Sequence, residues 1–553
     1  MKDEEAFNSI KIKGSPSELG EKAKQLESTS TIGLAECSRE ERCKASSITA
    51  SPSSNNLFAV AIDGEIENFE SLKKWSNEPF PIATEEDLLL ACLCIMNKDN
   101  KIELISAISK SLAGNPSFAF ISKSENAIYC KSGKSQLIIG TSPNGVFLSS
   151  ELNALLPFCE KYTVLNSGES AVLSQNKLLI FDSKQKRIKK AFISVGEKSY
   201  FVNDYLLADE IYYCPLAVKE TYNHFVKNQE LDFGFLKLSR RYIDRINKII
   251  IVGSNVSKNT AFLCRHLFET LCTITTIAFD SYEFNCSDTP IDKNTILIAI
   301  SHRGESKSTI ECVKKAKEMH AKTIAVTSNK NSALARESDF LINPYCDFES
   351  SSISLRSFIS SYLSLCFFAL YLGERINIVS KLYLGVCIKI SEMLSGKISS
   401  VIKSNPGIEK AASLLAGAEN IYVTGLGADF ALSLEASQKI REIAKKNAFS
   451  LCLDDLSEYP KELIASSRVI ALITNKELSK KAMKSLRRIK SRGAEVIIIT
   501  SEGIEEDIED FENIVTFNDS LPVFNPIPCI SCVYKIALLA DEEAKNQNTE
   551  QSA

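Results

Sequence analysis

Short apolar runs punctuate this chain, and their spacing divides it into regions of different texture. Residues 1–55 are polar, with Ser, Thr, Glu and Lys clustered at Glu27–Thr31 and Ser46–Asn55, and they read as a divergent N-terminal segment. At Leu57–Ile62 the pattern becomes strand-like and ends in an Asp63-Gly64 turn. A helical stretch follows near Glu85–Met96, and short strands are predicted at Phe118–Ile121, Leu137–Gly140, Gly145–Leu148, Ser170–Ser174 and Leu178–Asp182. This part reads as α+β, with several short strands and few helices.

After Pro215 the texture changes. Lys248–Val252 is an almost continuous apolar run that stops at Gly253-Ser254-Asn255 and leads into an amphipathic helix. Asn294–Ile300 stops at Ser301-His302-Arg303-Gly304-Glu305-Ser306, again before a helix, and Thr323–Thr327 is a third run. Strands alternating with helices predict a parallel, doubly wound sheet. The pattern then recurs at Ile421–Thr424, Val469–Ile473 and Val496–Ile499. Gly425, Thr474 and Thr500 follow Gly253, Ser301 and Thr327 by 172, 173 and 173 residues, so a tandem duplication is the simplest account. The helical region 376–415 links the copies. The expected boundaries are 1–55, 56–215, 216–390, 391–545 and a polar tail, 546–553.

Composition narrows the class. A chain of 553 residues has material for roughly three domains. With 44% hydrophobic and 24% charged residues it is neither disordered nor fibrous. A net charge of −4 predicts no basic face, hence no nucleic-acid partner. The most apolar stretch, Phe358–Leu372, contains three serines and falls short of the roughly 20 residues of a membrane span. It is expected to be a buried core helix, with no membrane partner. The 17 cysteines are scattered and odd in number, and no apolar leader precedes them, so reduced thiols and a cytoplasmic location are expected. Cys529 and Cys532 form a lone CxxC, read as helix packing; no metal and no cofactor are implied.

In open parallel sheets ligands bind beyond the carboxyl ends of strands. The Ser301–Ser306 loop is so placed, and its small residues allow backbone N–H groups to approach an anion at a helix N-terminus. Arg303 could add a bidentate phosphate contact. The bland alternative is an ordinary helix cap by Ser301 or Ser306. The Ser-rich stretch Glu349–Ser354, with Ser352, also precedes a helix. Gly425-Leu426-Gly427 lacks the third glycine of a dinucleotide fingerprint, with Phe430 in its place. Glu435, Lys439 and Glu442 lie at helical spacing. On spacing alone they are a solvated ion-pair face worth a few tenths of a kcal/mol per pair. The alternative is a general base beside a cation that keeps it ionised.

Taken in order, these segments resemble the motifs of one family. Asp63–Phe69 resembles an "NG-I-EN" turn, and Ala208–Pro215 a "KEI-EQP" hinge. Ser301–Ser306 resembles "SQSGET", Ala335–Asp339 matches "VRESD", and Leu434–Ile443 resembles "LEGALKLKEI". From about Leu57 to Ala540 the chain is similar to the glutamine–fructose-6-phosphate amidotransferases, or glucosamine-6-phosphate synthases. The resemblance implies an α/β protein: an α+β amidotransferase-like (Ntn-type) sandwich followed by two tandem sugar isomerase (SIS) domains with parallel, flavodoxin-like sheets. It implies that glutamine hydrolysis by an N-terminal Cys supplies ammonia, and that a Glu moves a proton between C1 and C2 of fructose 6-phosphate. Glu442 matches that Glu, and Lys439 and Glu435 match its helix neighbours. Ser301 and Ser306 match phosphate-loop hydroxyls. Ser254, His302, Arg303, Gly304 and Ser352 complete the expected substrate-binding set. The implied partner is a sugar phosphate, fructose 6-phosphate or glucosamine 6-phosphate. The implied assembly is a homodimer through the SIS domains, or a heteromer with an active homologue.

The departures are as informative. Lys2, not Cys, follows Met1, and Asp63 stands where the family has an oxyanion-hole Asn. A carboxylate there opposes the developing negative charge, so an inactive glutaminase half is expected. Glu458 takes the place of the ring-opening His of "ELKHGP", Asn255 that of a Ser, and His302 and Arg303 those of Gln and Ser. No tail motif matches the family's sugar-closing Lys, for which Lys545 is a poor substitute. Two function classes stand. One is an enzyme of amino-sugar synthesis (the UDP-N-acetylglucosamine precursor), using free ammonia. The other is a non-catalytic paralogue that binds sugar phosphate and regulates an active homologue. An enzyme is expected to show a pocket open at Ser301 and Glu442, with Glu458 from either subunit pointing in. A paralogue is expected to show Arg303 filling that pocket or paired to a local carboxylate.

Overall fold

The computed structural model describes residues 32–35, 53–76, 82–133, 137–150, 152–155, 158–174, 177–194, 207–330, 332–346, 353–504, 508 and 510–552. The chain forms two compact units, Met1–Asp204 and Tyr205–Ala553.

The first unit stacks two antiparallel sheets. Its strands are β1 (Ser53–Ser54), β2 (Phe58–Asp63), β3 (Ser117–Ser122), β4 (Ile128–Lys131), β5 (Leu137–Ser142), β6 (Gly145–Ser149), β7 (Lys161–Leu165), β8 (Ser170–Ser174), β9 (Lys177–Phe181), β10 (Arg187–Ile188) and β11 (Ile193–Ser194). One sheet runs β1-β2-β3-β4-β8-β9-β10 and the other β11-β7-β5-β6. The period of two along β3 divides its side chains. Ala119 joins Cys130, Leu137, Ile139 and Leu165 between the sheets. Phe118 and Phe120 face a second core with Leu88, Leu89 and Leu104 from helices Glu85–Ile95 and Lys101–Ser111. Thr84 and Asp87 close a capping box on the first of these helices. Helices Phe69–Ser76 and Lys101–Ser111 add to the helix expected from the sequence.

The divide falls ahead of helix Leu207–Phe225, which contains Pro215 and packs in the second unit. A two-residue hairpin follows, β12 (Val226–Lys227) and β13 (Glu230–Leu231). The first α/β half has β14 (Lys248–Gly253), β15 (Thr275–Asp280), β16 (Thr295–Ile300), β17 (Lys322–Val326) and β18 (Phe340–Ile342). The second has β19 (Asn420–Thr424), β20 (Asn447–Ser450), β21 (Arg468–Ile473), β22 (Glu495–Ser501) and β23 (Asn513–Phe517). Both sheets are parallel, in the orders β15-β14-β16-β17-β18 and β20-β19-β21-β22-β23, the 2-1-3-4-5 order of flavodoxin-type sheets.

The duplication extends to backbone angles. Gly253 and Gly425 both lie against the helix that follows, where an added Cβ would meet backbone at 2.5 and 2.6 Å. Asn255 (φ 55°, ψ −126°) and Gly427 (φ 60°, ψ −119°) then start helices Val256–Cys272 and Ala428–Ile443 in the same unusual conformation. These two helices pack on each other. A single core joins the halves, with Ile249, Ile251 and Ile298 of one sheet and Ile421, Val423 and Ile470 of the other. Helix Leu355–Arg375 runs through this core, and 94% of its most apolar window is buried, as a core helix requires. Cys529 and Cys532 are buried in helix Pro526–Ser552, and the described cysteines are free thiols.

Candidate functional site

The two copies differ where chemistry is expected. Six residues, Ser301–Ser306, join β16 to helix Lys307–Glu318, whereas two, Thr474 and Asn475, join β21 to the longer helix Lys476–Ser491. In the second half about one turn of helix replaces the loop, so the spacing between strands is preserved while the loop is not. Its strand end is also closed from within: the Asp429 carboxylate accepts from the Thr474 backbone N at 3.0 Å and from its Oγ1 at 2.5 Å. Burial pushes the Asp429 carboxyl up to about 7, against the pull of those two hydrogen bonds.

In the first half the loop is tightly specified. Gly304 has φ 70°, and a Cβ on it would sit 2.1 Å from Ser332 Oγ and 2.9 Å from Thr327 Oγ1. The His302 carbonyl accepts from Thr327 Oγ1 and Ser328 N, and the His302 ring lies 3.3 Å from Ser328 Oγ. Ser301 is buried and its N–H continues the β17 ladder to Val326 O. Ser306 is the N-cap residue, yet its hydroxyl makes no cap bond. It lies 3.3 Å from Ser308 Oγ and accepts from Thr309 Oγ1 at 2.9 Å. The bland capping reading therefore fails for Ser306. Ser308 Oγ also meets Ser254 Oγ at 3.1 Å, joining the loops after β14 and β16. Arg303 is exposed. Ser352 lies outside the described residues.

The charged trio is not a solvated face. Glu435 and Lys439 are completely buried, and the Glu442 side chain is 30% exposed. Lys439 Nζ lies 2.7 Å from Glu442 Oε2 and 3.5 Å from Glu435 Oε1, and it also donates to the carbonyl of Ile353, just before helix Leu355–Arg375. Glu435 further accepts from Asn259 Nδ2 at 2.8 Å and lies 3.4 Å from Tyr534 OH. Burial raises the Glu435 carboxyl, and Lys439 chiefly opposes the rise. The helix thus turns a polar stripe, 435, 438, 439 and 442, into the interface between the halves, at the spacing normally held by apolar residues.

Gln438, missed in the sequence, ties this trio to the loops. Its Nε2 donates to Glu442 Oε1 at 2.7 Å and to Asn255 Oδ1 at 2.6 Å. Asn255 adjoins Ser254, so a connected path runs from Ser306 through Ser308, Ser254, Asn255 and Gln438 to Glu442. Its signal in the sequence was the place of Gln438 on the stripe, four residues before Glu442.

Glu458 is not part of this constellation. Within this chain Arg488 grips its carboxylate with both terminal nitrogens on the exposed face of the second half. A cavity of ≈ 460 Å³ is lined by Lys258, Asn259, Gln438, Arg441, Phe449 and Tyr459 among others, and its lining includes neither Ser301 nor Glu442. Among the described residues no cluster of three metal-ligating side chains occurs.

Residues 242–371 and 414–513 match the SIS domain, so the two α/β halves are SIS domains. The isomerising glutamine–fructose-6-phosphate aminotransferase of Clostridium tetani is 23% identical over 539 residues, covering 95% of this chain and 88% of the relative. That of Corynebacterium glutamicum is 25% identical over 521 residues, covering 90% and 83%. In structure, the C-terminal domain of glucosamine-fructose-6-phosphate aminotransferase from Francisella tularensis matches with a TM-score of 0.56 at 20% identity, over 61% of this chain and 97% of that one, a likeness of fold. The chain is a homologue of the isomerising glutamine–fructose-6-phosphate aminotransferases over most of its length.

Proposed function

We propose that the second unit binds fructose 6-phosphate and carries out the isomerising half of amino-sugar synthesis. The phosphate lies on the Ser301–Ser306 loop, at the N-terminus of helix Lys307–Glu318, where the helix dipole and the hydroxyls of Ser306 and Ser308 favour it. Ammonia adds to the C2 carbonyl and water leaves, giving an imine. Glu442 takes a proton from C1 and returns it to C2, while the C1 hydroxyl gives up its proton and the imine nitrogen gains one, leaving the C1 aldehyde and C2 amine of glucosamine 6-phosphate. Lys439 orients the Glu442 carboxylate through their 2.7 Å ion pair. The observation that supports this reading most is the connected path from Ser306 to Glu442.

For the first unit we propose an amidotransferase-like fold that has lost glutaminase chemistry. Asn68 still staples its turn, donating to Ser111 O and accepting from Ala113 N, each at 2.9 Å. What persists of the motif holds the turn, while the carboxylate of Asp63 stands where the family has an oxyanion-hole amide and opposes a developing negative charge. One observation favours the second reading, a sugar-phosphate-binding regulator of an active homologue: the Glu458–Arg488 pair withdraws a proton-transfer candidate.

Calorimetric titration tests the reading. Fructose 6-phosphate is expected to bind, fructose not to bind, and Ser306→Ala to weaken binding by about tenfold, one charge-assisted hydrogen bond's worth. Equal affinity for fructose and its phosphate would overturn it.

A further inference from the structure

We propose, resting on the reading of Glu442 above, that Gln438 is a positioning residue: a carboxamide clamp, held by Asn255 and Asn259, that fixes the Glu442 carboxylate for proton transfer. The hydrogen bonds define its orientation. Gln438 Nε2 gives one hydrogen to Glu442 Oε1 (2.7 Å) and the other to Asn255 Oδ1 (2.6 Å). Gln438 Oε1 accepts from Asn259 Nδ2 at 2.7 Å, and the second Asn259 hydrogen goes to Glu435 Oε2 at 2.8 Å. Turning Gln438 over would set its oxygen against a carboxylate and an amide oxygen, so only one orientation is satisfied.

Glu435 and Glu442 are therefore bridged twice, by Lys439 on one side and by Asn259 and Gln438 on the other. An ammonium is a point charge that holds a carboxylate close without fixing its plane. The added carboxamide occupies the second oxygen, so each oxygen of Glu442 has one partner and the plane is fixed.

The backbone carries an independent mark of the same device. Asn255 adopts φ 55°, ψ −126°, where the duplicated half has Gly427 at nearly the same angles. A side chain is strained there, and the strain persists where its amide meets Gln438. The motif that this helix resembles carries Leu at the position of Gln438, and the family's first loop carries Ser at that of Asn255. Neither reproduces the clamp, which belongs to this chain.

The test follows solvent exchange at C1 of fructose 6-phosphate in D2O by proton NMR, with ammonium present, alongside calorimetric binding and melting of each variant. Wild type is expected to exchange. Gln438→Leu is expected to bind within about threefold of wild type but to exchange about 10–100-fold more slowly at saturating sugar, the penalty of a misplaced reacting group. Asn255→Gly keeps Gln438 and relieves the strain, so it is expected to exchange more slowly while melting no lower than wild type. A structural role alone would not separate those two readouts. Exchange by Gln438→Leu at the wild-type rate overturns the clamp and leaves the proposed function standing. Wild type that binds the sugar but does not exchange overturns the reading of Glu442, and the clamp with it.

Discussion

Replacing Lys439 by Met tests the electrostatics of the site without its substrate. Lys439 is completely buried, and its ammonium lies 2.7 Å from Glu442 and 3.5 Å from the equally buried Glu435. Met fills nearly the same volume but leaves Glu435 as a buried charge without its cation. Breaking such a pair costs about 3–5 kcal/mol. Unfolding entropy of about 2.1 cal/mol/K per residue, over the roughly 350 residues of the second unit, converts this into a fall in Tm of about 4–7 °C. The deficit also depends on pH. Burial raises the Glu435 carboxyl in the folded state, so the folded chain holds that proton more tightly than the unfolded one, whose pKa is about 4.3. Stability therefore falls as pH rises through the folded value, and removing Lys439 moves that value further up. The deficit of Lys439→Met is expected to be larger at pH 8 than at pH 5. Melting followed by circular dichroism at both pH values measures it, and Glu435→Gln in the same chain is expected to restore most of the loss. A deficit below about 1 °C, or one equal at both pH values, would refute the reasoning, since the charge must be uncompensated for either effect.

Three further outcomes are expected. Gly304→Ala forces a Cβ to within 2.1 Å of Ser332 Oγ at φ 70°, so urea denaturation is expected to show a loss of about 2–4 kcal/mol, with phosphate binding lost as well. Asp429, pushed up to about 7, makes stability fall as pH rises from about 4 to 7; Asp429→Asn keeps one acceptor and one donor for Thr474, and its melting curve is expected to be flatter across that window. Iodoacetamide is expected to label exposed Cys286 ahead of Cys264, Cys366 and Cys529, whose thiols burial pushes up, as peptide mass spectrometry would read.

How legible the fold was depended on burial. The runs read as strands in the two SIS domains became β14, β16, β17, β19, β21 and β22, inner strands covered on both faces and therefore continuously apolar. The strands missed in those sheets, β15, β18, β20 and β23, are their edges, short or half polar, such as Thr275–Asp280. The duplication was legible because inner strands keep their spacing. The loss of the second loop was not, because an added turn of helix preserved the same 173-residue offset. At the site, the hydroxyl loop and the Glu435, Lys439, Glu442 spacing could be read from the chain. Their burial could not, since it comes from helix Ala428–Ile443 packing on Val256–Cys272, and Asn259 and Gln438 acquire meaning only across that contact. The Glu458–Arg488 pair likewise joins residues 30 positions apart.

The central claim is that Glu442 moves a proton on a phosphate-anchored ketose. Its most direct test is glucosamine 6-phosphate formation from fructose 6-phosphate and ammonium by the purified chain, wild type beside Glu442→Gln. Product from the wild type, reduced about 10²–10⁴-fold in the variant, is predicted, the usual worth of a general base. Product formed equally by both, or no product from a wild type that binds the sugar, would contradict it.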